Sequence, residues 1–203
     1  MSESDHKQEQ IIETALKRFA HFGINKTTMS EIADDLSSSK ASLYYYFPDK
    51  ASLILAVIKH LLKIYHTEIT KHFRKAGSVK EGLYSIIDIR NSFARKYFML
   101  HLGSEGLQDI TVNEQAIKTI LREAEQAEIT LLAELLEKDM AKGIARERDA
   151  RATARTAIDM MIGLHLSSIV KKERRIIPDE SHFDELTKQQ KFACDLLIEG
   201  INK

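Results

Sequence analysis

The chain has 203 residues, of which 43% are hydrophobic and 30% are charged, a composition typical of a globular protein and not of a disordered one. Its 30 basic and 30 acidic side chains cancel, so the bulk charge gives no support for nucleic-acid binding, which must depend on local arrangement. The single cysteine, Cys194, excludes a disulfide framework within the chain, and no apolar run approaches the roughly 20 residues that span a bilayer. We therefore expect a cytoplasmic protein that does not enter the membrane.

The sequence predicts an all-α fold. Only two prolines and eight glycines interrupt it, and no long stretch alternates apolar with polar residues in the manner of a strand. The first predicted helix covers residues 8–22, where apolar side chains recur at helical spacing, and Gly23 is well placed to end it.

Residues 28–50 predict two short helices joined by a tight turn, in the sequence TMSEIADDLSSSKASLYYYFPDK. Thr28 and Glu31 have the spacing of a capping box, which begins the first of them. Three serines at positions 37–39 interrupt that helix, because their hydroxyls compete for backbone hydrogen bonds. Ser39 is suited to cap a second helix over residues 40–47, which Pro48 ends. Two short helices with a tight turn indicate a helix-turn-helix motif.

The rest of the chain predicts longer amphipathic helices, over residues 49–75, 79–93, 95–107, 114–142, from 149 or 151 to 172, and 183–202. We therefore expect two domains, a helix-turn-helix domain over residues 1–50 and a larger helical domain over 51–203. The last two helices have apolar stripes that would form a four-helix bundle in a dimer, with small Ala154, Ala157 and Gly163 permitting close approach. The alternative is that these stripes pack onto the core of their own subunit.

A series of positions in the first quarter of the chain matches a known pattern: Phe19, Gly23, Thr27–Thr28, Ile32–Ala33, Ser39–Lys40, Leu43–Tyr44, Tyr46–Phe47, Asp49–Lys50 and Leu53. Through them residues 11–57 resemble the N-terminal domain of TetR-family transcriptional regulators. The chain departs from the family at Ser37 and Ser38, where a glycine and a small apolar residue are common, and at Ala41, where glycine is frequent. The resemblance implies a homodimer whose second short helix enters the major groove, and a larger domain that binds a small-molecule effector.

The candidate contacts to an operator in double-stranded DNA lie in and around the two short helices: Thr27, Thr28, Ser38, Ser39, Lys40, Ala41, Ser42, Tyr44, Tyr45 and Lys50. Successive helical residues diverge by about 100°, so at least one of three consecutive tyrosines must point outward if Leu43 faces the core, and Tyr45 is the best candidate. The resemblance implies that Tyr44 also contacts DNA and that Lys50 holds a phosphate. Capping alone would explain Thr28, and Ser39 has the same alternative.

The candidate effector contacts are aromatic, methionine and histidine residues of the larger domain: Tyr65, Tyr84, Phe93, Tyr97, Phe98, His101, Met161 and His165. Such a collection fits an adaptable apolar pocket, although residues of these types are more often core.

We therefore expect a ligand-responsive dimeric regulator, a repressor released from a palindromic operator by a small molecule. A helical interaction protein whose helix-turn-helix no longer binds DNA is the main alternative, and a small enzyme using His101 or His165 is a further one. The sequence contains no HxxxH pair, Cys–His cluster, glycine-rich phosphate loop or G-x-S-x-G motif, so we expect no catalytic residues, no metal site and no cofactor.

Overall fold

The structure, a computed structural model, describes residues 3–100, 114–171 and 180–202, which fold into eight α-helices and one 3₁₀-helix. The elements are α1 (Glu3–Phe22), α2 (Met29–Asp35), α3 (Lys40–Tyr46), α4 (Lys50–Phe73), α5 (Val79–Lys96), the 3₁₀-helix Phe98–Leu100, α6 (Glu114–Ala141), α7 (Ala150–Lys171) and α8 (Glu180–Ile201). The all-α prediction is confirmed. The separate helix predicted to begin at residue 95 is wrong in the described region, since α5 continues to Lys96 and the 3₁₀-helix follows it.

The described residues divide into two compact units, each with its own core. Unit 1 comprises Met1–Ile64 with Lys96–Leu121, and unit 2 comprises Tyr65–Arg95 with Arg122–Lys203. These units are defined by packing, whereas the predicted domains are defined by function. The assignment of DNA binding to residues 1–50 (the head) therefore stays a prediction.

The core of unit 1 joins the three head helices to the start of α4. It includes Phe19 of α1, Ile32 of α2 and Leu43 of α3, whose side chains are at most 1% exposed. Leu100 and Ile117 join this cluster from outside residues 1–64, which explains why the segment around them belongs to unit 1.

The core of unit 2 is built from α5, α6, α7, α8 and the end of α4. Ala154 and Ala157 are buried in it, whereas Gly163 is exposed with open space where a side chain would be. For the two alanines the expected place in a dimer interface is therefore wrong, because their small side chains serve packing within the subunit. Gly163 alone of the three remains on the outer surface.

Candidate nucleic-acid interface

A capping box begins α2. The Thr28 hydroxyl accepts a hydrogen bond from the Glu31 backbone N–H (3.3 Å), and the Glu31 carboxylate accepts from the Thr28 backbone N–H (2.7 Å) and from its hydroxyl (2.9 Å). These bonds lower the pKa of the Glu31 carboxyl, because they stabilise its charged form. The Thr28 hydroxyl is thus committed to its cap, and a phosphate would have to compete with Glu31 for it.

The turn between α2 and α3 is a Schellman motif. Ser37 donates its backbone N–H to the Asp34 carbonyl, and Ser38 donates to the Ala33 carbonyl, both at 2.9 Å. Ser37 has a φ of 48°, the left-handed conformation that glycine adopts with least strain. The turn therefore closes without a glycine at this position, at some cost in backbone strain.

Helix α3 presents one face to the core and the other to solvent. Leu43 and Phe47 are 1% and 4% exposed, whereas Tyr44 and Tyr45 are 47% and 82% exposed. The Ser39 hydroxyl caps the helix by accepting from the Ser42 backbone N–H at 3.1 Å. The outer face also includes the exposed Lys40 and Ala41 and contains no acidic side chain, so it is available to a polyanion.

The start of α4 lies beside these elements in the same unit. The Asp49 carboxylate caps it by accepting from the Ser52 backbone N–H at 2.7 Å. Lys50 follows at the first position of the helix and is partly buried, which lowers the pKa of its ammonium group, while the charge of Glu31 acts in the opposite direction. A cation at this position is suited to hold one phosphate.

Two of the three acidic side chains of α2 are held by Arg18 of α1. Its guanidinium donates to both carboxylate oxygens of Asp35, from Nε at 2.5 Å and from Nη2 at 3.3 Å, and its Nη1 lies 3.4 Å from Glu31 Oε1. Sequence reasoning missed Arg18, because only a tertiary contact shows that a basic residue 17 positions upstream pairs with Asp35.

Most of the predicted DNA contacts lie on the exposed or partly exposed surface of the head: Thr28, Ser38, Ser39, Lys40, Ala41, Ser42, Tyr44, Tyr45 and Lys50. Thr27 does not. It is 1% exposed, and its hydroxyl donates to the Gly23 carbonyl at 2.9 Å, so the expectation that its side chain meets DNA is corrected to a structural role.

Two of the predicted effector residues meet in unit 2, next to a buried ion pair that the sequence did not reveal. The rings of Tyr65 and Phe93 pack edge to face with centroids 5.2 Å apart. The Tyr65 hydroxyl donates to the Glu128 carboxylate and accepts from Arg90 Nε (3.2 Å), while Arg90 Nη2 donates to Glu128. Burial and the charge of Glu128 raise the pKa of the Tyr65 hydroxyl, so it stays a proton donor.

The other predicted effector residues are not brought to that site by the described contacts. Tyr84 donates to Asp195, its ring lies between the ammonium groups of Lys80 and Lys191, and a surface depression of about 430 Å³ lies beside it. Met161 is fully buried in the core of unit 2, and His165 is partly buried on α7. The remaining three belong elsewhere: Tyr97 and Phe98 lie in unit 1, and His101 lies outside the described residues.

Residues 3–100, 114–171 and 180–202 show neither a metal site nor a membrane-spanning helix. No group of three or more histidine, cysteine, aspartate or glutamate side chains is arranged to hold a metal ion there. Among the helices of the same residues, none has the length and apolar character to cross a membrane.

Comparison with known proteins gives consistent results. Residues 11–57 match the family model described as bacterial regulatory proteins, tetR family. The chain is 32% identical over 135 residues to the HTH-type transcriptional regulator YuxN of Bacillus subtilis, covering 65% of this chain and 46% of YuxN. It is 30% identical over 98 residues to IcaR of Staphylococcus aureus, the HTH-type negative transcriptional regulator of the biofilm operon icaADBC, covering 46% of this chain and 53% of IcaR.

The matches thus span about half the length of these curated relatives. A solved structure agrees along nearly the whole chain. The crystal structure of a transcriptional regulator from Cytophaga hutchinsonii superimposes with a TM-score of 0.84 at 29% identity, covering 97% of this chain and 99% of that one.

Proposed function

We propose that this chain, which belongs to the tetR family of bacterial regulatory proteins, represses transcription as a homodimer bound to a palindromic operator and leaves the DNA when a small molecule binds. The observation that carries the proposal is the outer face of α3, where Lys40, Tyr44 and Tyr45 are exposed on a helix whose opposite side is buried. The name of IcaR as a negative regulator supports repression over activation.

In this proposal α3 is the recognition helix and lies in the major groove. The N-terminal residues of such a helix reach base edges, while flanking groups hold phosphates. Tyr45 is 82% exposed, so its ring gains nothing from the protein's own core and is free to contact a thymine methyl or a phosphate. Lys50 holds a phosphate at the start of α4.

The dimer uses the outer faces of α7 and α8. Leu166, Phe192 and Leu196 are large apolar side chains that are between 54% and 66% exposed, and Gly163 and Gly200 on the same two helices have open space around them. Exposed apolar side chains beside exposed glycines allow two helix pairs to approach closely about a two-fold axis. Covering them removes apolar surface from water.

We place the effector in unit 2, beside Tyr65 and Phe93. Their rings give an apolar wall, and the Arg90–Glu128 pair next to them supplies oriented polar groups. An effector that repacks this cluster would change the packing of α4 against α5 and α6, and α4 belongs to both units. Repacking there is the step by which binding of the small molecule would alter the heads.

The proposal is tested by selecting operator DNA from a random-sequence library with the purified protein and measuring affinity by fluorescence anisotropy. Lys40→Ala combined with Tyr45→Ala should abolish specific binding without changing helicity or dimerisation. The matched control is Lys142→Ala combined with Ile144→Ala, which removes an exposed lysine and an exposed apolar side chain from unit 2. Failure of the unmodified dimer to select any sequence at low salt would refute the proposal.

The second candidate function is a helical interaction protein whose head does not engage DNA. One observation favours it: residues 1–50 contain eight acidic and six basic side chains, so the head is not attractive to DNA by charge alone. The two functions differ in salt dependence. Phosphate contacts release counterions, so the logarithm of the affinity for DNA falls linearly with the logarithm of the salt concentration. A steep fall in DNA affinity with rising salt supports the regulator. A DNA affinity that does not change with salt supports the interaction protein.

A further inference from the structure

Arg18 of α1 is paired with two acidic side chains of α2. It is the cation that the two acidic side chains Glu31 and Asp35 share, and its own side chain is only 19% exposed, whereas theirs are 42% and 41% exposed. A ring contact also holds the guanidinium, since its carbon lies 5.3 Å from the centroid of the Phe22 ring. The guanidinium is therefore fixed at the α1–α2 contact.

The two carboxylates that Arg18 pairs lie on the helix that crosses the DNA backbone in a helix-turn-helix complex. Unpaired carboxylates there repel phosphates, and Glu31 is close enough to Lys50 to act on its charge. Without Arg18, the charge of Glu31 would act on Lys50 with no other cation among the described residues to offset it. A lysine drawn to Glu31 is less available to a phosphate.

We propose that Arg18 is a positioning residue for DNA binding, which holds the carboxylates of Glu31 and Asp35 against α1, offsets one of their two negative charges, and so leaves Lys50 free for a phosphate. The inference rests on the proposed function, because it assigns Arg18 a role in DNA affinity. It helps to explain how a head with more acidic than basic residues approaches a polyanion: two of the three acidic side chains of α2 are already paired with a cation.

A purely structural role for Arg18 makes a different prediction. If it only fastened α1 to α2, neutralising Glu31 and Asp35 would not recover what its removal loses. Exposed ion pairs contribute little to stability, so the fold should survive the change. Recovery of DNA affinity by removing the acids therefore separates the two roles.

The expected effect is worked from Coulomb's law. A unit charge roughly 10 Å from a phosphate changes binding about twofold in water. Arg18→Met removes one positive charge from each head, and therefore two from a dimer, which weakens binding by roughly fourfold at low salt. The loss shrinks at high salt because of screening.

The experiment compares full-length variants on a duplex selected by the unmodified protein. Arg18→Met should lose roughly fourfold in affinity, and Arg18→Lys should keep most of it, because the charge is retained. Arg18→Met combined with Glu31→Gln and Asp35→Asn should recover the affinity, since glutamine preserves the capping box. Arg95→Gln is the matched control, as Arg95 makes the same kind of contacts in unit 2, with Asp184 at 2.8 Å and over the Phe183 ring.

Two results would overturn the inference: unchanged affinity in Arg18→Met, or a folded triple variant as weak as Arg18→Met. If Arg18→Met does not fold, Glu31→Gln with Asp35→Asn in the presence of Arg18 decides, because it should bind several times tighter, and equal or weaker binding contradicts the inference. Failure of the unmodified protein to bind DNA is a separate result, which refutes the proposed function instead.

Discussion

The buried ion pair of unit 2 gives the most demanding prediction about stability. Glu128 is 2% exposed and has two partners among the described residues, Arg90 and the Tyr65 hydroxyl. We predict that Arg90→Met lowers the free energy of unfolding by about 3–5 kcal/mol, because it leaves a carboxylate buried without a cation. Tyr65→Phe removes one donor and keeps the pair, so it should cost about 1–2 kcal/mol.

The double change Arg90→Met with Glu128→Met is the informative one. Replacing both charges by apolar side chains of similar length removes the desolvation penalty together with the attraction, so it should restore stability to within about 1 kcal/mol of the unmodified protein. The single change is thus predicted to be worse than the double. A single variant less stable than the double is expected if Arg90→Met leaves a buried carboxylate without its cation, and is not expected if the change only loses packing.

The assay is urea unfolding followed by far-ultraviolet circular dichroism, since the chain has no tryptophan. Because two compact units need not unfold together, hydrogen exchange of α5 and α6 should be measured alongside, to attribute the change to unit 2. A double variant as unstable as Arg90→Met would refute the reasoning, and so would an Arg90→Met variant that loses less than about 1 kcal/mol.

Three other predictions follow from single features. Ser37→Gly should raise the unfolding free energy of the head by roughly 0.5 kcal/mol, because relief of the left-handed strain exceeds the added entropy of the unfolded chain, whereas Ser37→Val should lower it; urea unfolding checks both. Phe192→Glu with Leu196→Glu should give a monomer in sedimentation analysis that no longer binds operator DNA, while Ile144→Glu, at another exposed apolar position (46%) outside α7 and α8, should leave the dimer intact. The Cys194 thiol is fully buried and its pKa is raised to about 11 by burial and by Asp195, so at pH 8 iodoacetamide should alkylate the folded protein at least roughly 100-fold more slowly than the urea-unfolded protein; equal rates would contradict the burial.

Local features of the head were predictable from the sequence because they depend on short spacings. The capping box of Thr28 and Glu31 and the cap at Ser39 each join residues only three positions apart, and both are present. The outward direction of Tyr45 follows from the helical period once Leu43 faces the core. The prediction for Thr27 was wrong, because its hydroxyl donates to the carbonyl four residues earlier and is buried. Residue type alone does not show this.

Contacts between distant positions were not predictable in this way. Arg90 pairs with residues 25 and 38 positions away, and Arg18 with one 17 positions away. Periodicity indicates which face of a helix is apolar and not which helix meets it. For the same reason Ala154 and Ala157 were assigned to a dimer interface, whereas they pack inside the subunit.

The charge of the head bears on why the proposed regulator should be a dimer. With eight acidic and six basic side chains in residues 1–50, one head receives no general attraction to DNA and depends on the few contacts of α3 and Lys50. Joining two such heads makes the second contact intramolecular, which strengthens binding by roughly 10²–10⁴-fold when the spacing fits the operator and by nothing when it does not. Weak heads therefore make binding sensitive to small changes in their separation. An effector that repacks the cluster around Tyr65 then needs only to change the separation of the two heads so that it no longer matches the operator. The recognition helices can stay unchanged.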